Sequence, residues 1–267
     1  MRAFLESILA ATLQELERRQ AETPLETLVE MVGDCAPPRD FVSAIGGPGI
    51  KLIAEVKRAS PSKGELNASA DAASLASEYE QGGAAAISVV TESRFFMGRL
   101  SDLAAVASAV RIPVLRKDFI LSAYQVYESR AFGADAILLI AAILSDDQLA
   151  SLLDLARCLR MGALVEVHDD VEMDRVIGKV EHLNHSRCAV ALGINNRDLK
   201  DFTVDIERTF SLRARAPVGV TLVSESGIRS RDDVLRLESV GVNAILVGEA
   251  LVTSGNPDKT MRYLLGW

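Results

Sequence analysis

Cysteine, histidine and aromatic side chains are scarce in this chain, and each shortage narrows the functions open to it. Of the 267 residues only 5% are aromatic, and there are three histidines and three cysteines. Cys35, Cys158 and Cys188 lie far apart and form no CxxC pair. This odd number of isolated thiols argues against a disulfide framework. We expect reduced cysteines that pack as small apolar side chains, in a cytoplasmic protein.

A long apolar run and an excess of positive charge are also missing. The longest apolar run covers residues 136–144, whereas a membrane-spanning helix needs about 20 residues. Charged residues interrupt the N-terminal segment, which therefore lacks the apolar core of a signal peptide. The net charge is −8, and both signs are mixed along the chain. Neither nucleic acid nor a membrane surface is therefore an expected partner.

A regular alternation of strands and helices begins near residue 50. Short β-branched and apolar runs are centred on Ile53, Ile87, Val114, Ile137, Leu164, Ala191, Leu222 and Ile245. Segments with helical periodicity follow, among others at residues 70–80, 101–110, 123–132, 146–160 and 231–240. Eight strand–helix units predict an α/β fold, a (β/α)8 TIM barrel. The competing architecture is a doubly wound open sheet, but residues 55–63 do not form the glycine-rich dinucleotide loop expected after its first strand.

The sequence pattern of residues 1–49 predicts a helical extension that packs on the barrel. Apolar residues recur at helical spacing over 1–32, and Pro24 is expected to start a second short helix. The prolines and glycines that follow predict loops. We therefore divide the chain into an N-terminal helical extension at 1–49 and a catalytic barrel at 50–267, within one structural domain overall.

Five of the predicted strands end in charged or amide residues: Glu55 and Lys57, Lys117, Glu166, Asn195, and Glu225. Because side chains alternate along a strand, Glu55 and Lys57 share one face, opposite Leu52, Ala54 and Val56. If those apolar residues face the helices, the charged ones point into the barrel mouth, where TIM barrels place catalysis. Buried ionisable groups are costly to desolvate and therefore suggest function. Two lysines among three glutamates predict proton transfer with stabilised anions and no metal, since lysines compete with a divalent ion.

The histidines give little support to a metal site. His182 and His185 lie three residues apart, in a polar segment between a helix and the sixth strand, where we expect a surface loop on the N-terminal side of the barrel. His168 follows Glu166 by two residues and is a minor candidate for the mouth.

Glycines follow the last two predicted strands, where this fold commonly binds phosphate. The backbone N–H groups around Gly227 and Gly248 would approach an anion there. A polar loop at residues 60–64 follows the first strand and could reach the same ligand. Phe96 and Phe119 lie on the same expected face, where they would either contact a planar apolar group or cap the core.

Together these segments resemble the indole-3-glycerol phosphate synthase family of tryptophan biosynthesis. The resemblance is carried by IAEVKRASPSKG at 53–64, LRKDFI at 115–120, EVH at 166–168, GINNRDL at 193–199 and SESGI at 224–228. It implies a carbon–carbon lyase (a carboxy-lyase) that converts 1-(2-carboxyphenylamino)-1-deoxyribulose 5-phosphate to indole-3-glycerol phosphate, carbon dioxide and water. No cofactor and no metal are implied, because two acids and a base in a closed pocket suffice.

The resemblance also assigns roles. Lys117 is implied as the general acid, Lys57 as the ligand of the substrate carboxylate and a second acid, and Glu166 as the general base. Glu55 would orient Lys57 or share the base role. The remaining assignments are positioning by Asn195, Glu225 and Arg197, phosphate binding by Ser226, Gly227, Gly248 and the Glu249 backbone, and a wall around the anthranilate ring made by Ser60, Pro61, Phe96, Phe119 and Leu199.

Two positions depart from the family pattern. Arg99 stands where many relatives carry a serine, and Glu249 stands where some carry a serine at the phosphate site. The chain also stops at Trp267, so we expect no fused phosphoribosylanthranilate isomerase.

Two other functions compete with this one. A sugar-phosphate isomerase of the same pathway would have cysteine or aspartate near the end of the first strand, and a non-catalytic protein would have lost part of the acid–base set. We expect a monomer that binds a phosphorylated small molecule, with other tryptophan-pathway enzymes as the only candidate protein partners.

Overall fold

Eight parallel strands close into a barrel in the computed structural model, which describes residues 2–61, 63–66, 71–184, 190–198 and 202–267. In chain order the barrel strands are β1 (Lys51–Val56), β2 (Ala86–Val90), β3 (Val114–Lys117), β4 (Ala136–Ile140), β5 (Gly162–Val167), β6 (Val190–Asn195), β7 (Thr221–Glu225) and β8 (Ala244–Val247). Each strand pairs with its neighbours in sequence, and β8 pairs with β1. The predicted TIM barrel is confirmed, and all eight predicted strand centres lie within strands.

Twelve α-helices are present among the described residues: α1 (Arg2–Glu22), α2 (Leu25–Asp34), α3 (Phe41–Ile45), α4 (Ala72–Gln81), α5 (Leu100–Ala109), α6 (Ala123–Ala131), α7 (Asp146–Cys158), α8 (Asp170–Asn184), α9 (Glu207–Arg213), α10 (Arg231–Ser239), α11 (Glu249–Thr253) and α12 (Pro257–Leu265). The five helices predicted by range lie within two residues of their predicted bounds. A capping box of Ser145 and Gln148 fixes the start of α7, and Ser230 with Asp233 does the same for α10. No helix of the described chain is long and apolar enough to cross a bilayer.

Strand alternation divides the apolar residues into two layers. Leu52, Ala54 and Val56 of β1 pack with the helices in the outer layer. Ile53 belongs to a second cluster that fills the barrel interior together with residues such as Leu115 and Leu164. Glu55 therefore points inward with Ile53, as the parity of the strand predicts.

The helices before β1 contact the barrel at three places. Phe41 and Ile45 of α3, a helix that the sequence did not predict, are buried against the start of β5, where the Phe41 side chain would meet any Cβ at Gly162. Helix α2 packs against α6 on the outside. The first turns of α1 reach the opposite end of the barrel, where the strands end.

A buried charged network lies behind β3 and holds this strand to α6 and α1. Arg116 is fully buried, and its guanidinium donates to Asp118 at 2.8 Å and to Glu128 at 2.9 Å. Arg19 of α1 contacts the same Glu128 carboxylate at 2.9 Å. Thr91 donates to Asp118 at 2.6 Å and completes the network. Because Arg116 and Lys117 are adjacent, these bonds fix the strand that carries Lys117.

Two sequence predictions about scarce residues are wrong. Cys158 was expected to pack as a small apolar residue but is exposed at the end of α7. It lies on the solvent side of this amphipathic helix. Cys35 is half-buried. The backbone of His182 belongs to α8 and does not form a surface loop, because that helix runs on to Asn184. Cys188 and His185 lie outside the described residues.

Candidate active site

A cavity of about 560 Å³ opens at the ends of the strands where the charged residues were predicted. The predicted site residues that line it are Glu55, Lys57, Ser60, Pro61, Phe96, Lys117, Phe119, Glu166, Asn195, Arg197, Glu225, Ser226, Gly227, Gly248 and Glu249. The remaining member of the predicted set, Leu199, lies outside the described residues. Residues from separate segments meet in this cavity because all the parallel strands end at the same face of the barrel.

Lys117 lies between two buried carboxylates at the centre of this cavity. Its Nζ atom is 3.1 Å from Glu166 Oε2 and 3.4 Å from Glu225 Oε2. The side chains of Glu166 and Glu225 are only 2% and 1% exposed. Three strands, β3, β5 and β7, therefore bring two buried carboxyl groups within 3.4 Å of one ammonium group.

This contact sets the charges of the cluster. Burial lowers the pKa of Lys117, but the surrounding carboxylates outweigh burial and raise its pKa above the usual value. Burial raises the pKa of Glu166, but Lys117 and His168 outweigh burial and hold that pKa well below its usual range. For Glu225 burial prevails over the attraction of Lys117, and the nearby Glu166 carboxylate raises its pKa further. The cluster therefore favours the charged form of Lys117 and the ionised form of Glu166, whereas Glu225 is shifted toward its protonated form.

His168 supports Glu166 from behind and does not line the cavity. Its Nε2 atom is 3.2 Å from Glu166 Oε1, and its Nδ1 atom is 3.1 Å from Glu172 Oε2. Burial lowers the pKa of His168, but the two carboxylates outweigh burial and raise it to about 9. His168, a minor candidate from the sequence, is thus a positively charged neighbour of Glu166.

Glu55 and Lys57 form a second ion pair beside the first cluster. Glu55 Oε1 is 2.6 Å from Lys57 Nζ, and the Glu55 side chain is 5% exposed. Gly248 leaves room for this carboxylate, because a Cβ at that position would collide with Glu55 Oε1. Gly193 of β6 likewise leaves room for the Glu225 carboxylate, because a Cβ at Gly193 would collide with Glu225 Oε1. Sequence reasoning missed Gly193; a glycine inside a predicted barrel strand was the available signal.

Asn195 connects the end of β6 to the loop after β7. Its Oδ1 atom accepts a bond from Ser226 Oγ at 2.9 Å and from the Arg197 backbone N–H at 3.0 Å. Ser226 and Gly227 both have left-handed backbone conformations, with φ of 66° and 82°. The Asn196 amide donates to the Ser226 carbonyl at 2.9 Å and helps to hold this conformation. Gly227 turns the chain at the rim without the steric penalty of a side chain.

Phenylalanines form an apolar wall on one side of the cavity. The rings of Phe96 and Phe119 have centroids 6.4 Å apart. Glu92, which sequence reasoning missed, shapes the loop after β2 by accepting three backbone N–H groups, those of Arg94, Phe95 and Phe96. Phe4, Leu5 and Ile8 of α1 also line the cavity, so part of the wall comes from the N-terminal helix.

The described part of the chain contains no group of three or more histidine, cysteine or acidic side chains arranged to hold a metal ion. Every carboxylate of the central cluster is engaged with a cationic side chain. The expectation that the reaction uses no metal and no cofactor stays a prediction.

Comparison with known proteins identifies the family. The model described as indole-3-glycerol phosphate synthase matches residues 5–264. The chain belongs to the indole-3-glycerol phosphate synthase family. The indole-3-glycerol phosphate synthase of Parafrankia sp. (strain EAN1pec) is 47% identical over 95% of this chain and 91% of that protein. The protein of the same name from Dehalococcoides mccartyi (strain CBDB1) is 46% identical over 98% of this chain and all of its own.

Solved structures of lower identity support the fold. A tryptophan synthase alpha-subunit from Pyrococcus furiosus aligns with a TM-score of 0.62 at 15% identity, covering 81% of this chain and 98% of its own. The 3-hexulose-6-phosphate synthase of Salmonella typhimurium aligns with a TM-score of 0.61 at 14% identity, over 81% and 97%. The family model and the curated relatives confirm the resemblance that the sequence motifs indicate.

Proposed function

We propose that this protein closes the indole ring of indole-3-glycerol phosphate, with loss of carbon dioxide and water from 1-(2-carboxyphenylamino)-1-deoxyribulose 5-phosphate. The observation that carries the proposal is the position of Lys117 between Glu166 and Glu225 at the floor of the cavity. An acid and a base in contact can serve successive proton transfers on one substrate.

The cavity offers a place for each part of this substrate. The aromatic ring would lie against Pro61, Phe96 and Phe119, and Ser60 adds to that wall. Leu199 is assigned to the same wall by resemblance alone. The phosphate would bind at the loops after β7 and β8, through the backbone around Ser226, Gly227, Gly248 and Glu249, where barrels of this kind bind phosphate. The ketone would then lie between these ends, close to Lys117.

The first step joins the ring carbon that bears the carboxylate to the ketone carbon. Negative charge develops on the ketone oxygen, and the Lys117 ammonium would stabilise it and supply its proton. Because the surrounding carboxylates raise the pKa of Lys117, it keeps its proton until a strong base such as an alkoxide forms. Lys57 would hold the substrate carboxylate until carbon dioxide leaves and the ring regains aromaticity.

The second stage removes a hydroxyl group and a carbon-bound proton, which together equal one molecule of water. The new hydroxyl group leaves with a proton from a lysine, and Glu166 would take the proton that must be lost as the indole forms. Glu166 is a weak base while Lys117 is charged, because that charge lowers its pKa. Once Lys117 has given up its proton, Glu166 becomes more basic, so the pair is ready for the later step. Glu225, with Asn195 and Arg197, would position the lysine and the substrate, while Glu55 orients Lys57.

A turnover assay tests the proposal. Purified protein supplied with the carboxyphenylamino substrate should produce a fluorescent indole without added metal or cofactor, and EDTA should not reduce the rate. Fluorescence lost in EDTA and restored by a divalent ion would reject the metal-free chemistry. A protein with no turnover under any of these conditions would reject the function.

We also propose that residues 1–49 and 50–267 act as one structural unit, with α1 completing the cavity wall. The unit is proposed to work as a cytoplasmic monomer. Sedimentation of the full chain at a mass near 28.8 kDa would support the monomer, and a dimer mass would reject it.

A further inference from the structure

A carboxylate lies at the rim of the proposed phosphate site, where a negative charge is least expected. Glu249 is the first residue of α11 and directly follows Gly248. One of its oxygens, Oε1, is 3.8 Å from Lys63 Nζ, and the other, Oε2, is 3.6 Å from an Arg197 guanidinium nitrogen. The three residues come from the loops after β1, β6 and β8, so Glu249 connects three sides of the mouth.

The position of Glu249 creates an electrostatic conflict. Its backbone belongs to the proposed phosphate site, while its side chain is a carboxylate with 33% exposure that lines the same cavity. A phosphate dianion bound there would be repelled by that carboxylate and attracted by the two cations that the carboxylate already holds. In the free protein the Glu249 carboxylate is thus within ion-pair distance of both cations, beside the backbone of the proposed phosphate site.

Substrate and product of the proposed reaction share the phosphate group. Affinity for that group stabilises the ground state, the transition state and the product alike, and therefore lowers KM without raising kcat. Too strong a phosphate contact would also slow product release, which limits many enzymes. The substrate has two further anchors, its carboxylate at Lys57 and its ring at the phenylalanine wall, and the product has lost the carboxylate.

We propose that the Glu249 carboxylate is a built-in competitor of the substrate phosphate, which lowers the affinity of the site for any phosphate-bearing ligand and favours product release. Phosphate binding displaces Glu249 from Lys63 and Arg197, and Glu249 returns to them as the product leaves. No covalent step is involved. The inference rests on the proposed function for the identity of substrate and product, but the competition itself concerns phosphate alone.

Binding of inorganic phosphate by Glu249→Gln tests the competition without any turnover. The variant keeps the size and the backbone N–H of Glu249 and removes its charge. Calorimetry should give a Kd for phosphate that is about three- to tenfold lower than that of the unmodified protein, because the ion pairs are partly exposed and solvent weakens them. The Kd of anthranilate, which has the ring and carboxylate but no phosphate, should change less than twofold.

Glu207→Gln is the matched control. Glu207 is also the first residue of a short helix, α9, and forms an exposed ion pair with Arg236 at 2.6 Å. It does not line the cavity. This variant should leave the phosphate Kd unchanged.

A double-mutant cycle identifies the displaced partner. Lys63→Gln should weaken phosphate binding more in the Glu249→Gln background than in the unmodified protein, because Lys63 is then no longer occupied by Glu249. In turnover, Glu249→Gln should lower KM and the product inhibition constant by similar factors. Unchanged or weaker phosphate binding in Glu249→Gln would overturn the inference, whereas absence of turnover in the unmodified protein would overturn only the proposed function.

Discussion

Lys117 holds its positive charge where two buried carboxylates converge, so its proton is retained until the substrate develops a stronger base. An uncharged Lys117 would raise the pKa of Glu166, because Glu166 would then keep His168 but lose its other cationic neighbour. Each member of the cluster therefore depends on the charge state of the others.

Lys117→Ala should lower kcat by about 100-fold or more, the range for loss of a positioned acid. Steady-state fluorescence of the indole product measures the rate, and circular dichroism checks that the variant is folded. Lys179→Ala is the control, since Lys179 forms a surface ion pair with Asp146 at 3.4 Å and does not line the cavity. A Lys117→Ala variant with near-normal kcat would remove this residue from the proposed mechanism.

His168 makes the stability of the protein depend on pH. The folded protein raises the pKa of His168 to about 9, above the value near 6.5 of an unfolded chain. The stabilisation is therefore complete below pH 6.5 and is lost as the pH rises through 9, and it amounts to about 3 kcal/mol.

Urea unfolding of the protein and of His168→Gln from pH 6 to pH 9.5 measures this contribution. The difference in the free energy of unfolding between the two should shrink as the pH rises, because the unmodified protein loses the stabilisation of its imidazolium. A difference that stays constant over that range would show that His168 is not charged in the fold.

At the scale of the element, the two faces of strand β3 carry charged residues with different surroundings. Lys117 faces the cavity, while the neighbouring Arg116 faces α6 and is completely buried with Asp118 and Glu128. A buried ion pair contributes little net stability, but removal of one partner leaves uncompensated charge. The outer face of β3 is thus more sensitive to substitution than an apolar strand would be.

Arg116→Ala should therefore lower the free energy of unfolding by about 3–5 kcal/mol, because Asp118 would lose its ion pair while buried and Glu128 would keep only its contact with Arg19. Denaturant titration followed by circular dichroism measures the change. Arg157→Ala, which removes a surface pair with Asp154 on α7, should cost less than about 0.5 kcal/mol. Equal effects of the two substitutions would contradict the importance of the buried network.

At the scale of the whole molecule, the N-terminal helix and the barrel share one site. Phe4 of α1 packs edge-on against Phe95 and Phe202, with ring centroids 5.2 and 5.0 Å apart. These residues belong to the loops after β2 and β6, so a single ring joins the helix to two sides of the cavity mouth.

Phe4→Ala should raise KM about fivefold or more while kcat changes less, because the ring belongs to the apolar wall of the cavity and packs on Phe95 and Phe202. Leu13→Ala on the same helix is the control, since Leu13 is exposed. Steady-state kinetics of both variants separates the two constants. A large fall in kcat with unchanged KM would assign α1 a different function.

The barrel was predictable from the repeated strand–helix units, and the inward direction of Glu55 was predictable from the alternation of side chains along its strand. Helix α3 is too short to show a periodic pattern, and it forms because Phe41 and Ile45 find a buried surface at the start of the strands. The Phe4 contacts depend on distances between separate elements, which local patterns do not encode.

Gly193 and Gly248 limit how this site can be redesigned. An additional methyl group at Gly193 would collide with the Glu225 carboxylate and one at Gly248 with the Glu55 carboxylate, so enlarging either residue would displace that side chain from its place in the cluster. Libraries aimed at bulkier or differently shaped substrates should instead vary Phe96, Phe119 and the first turns of α1, where the wall is apolar and made by loops and a helix. The acid–base floor and the adaptable wall are therefore separate targets for directed evolution.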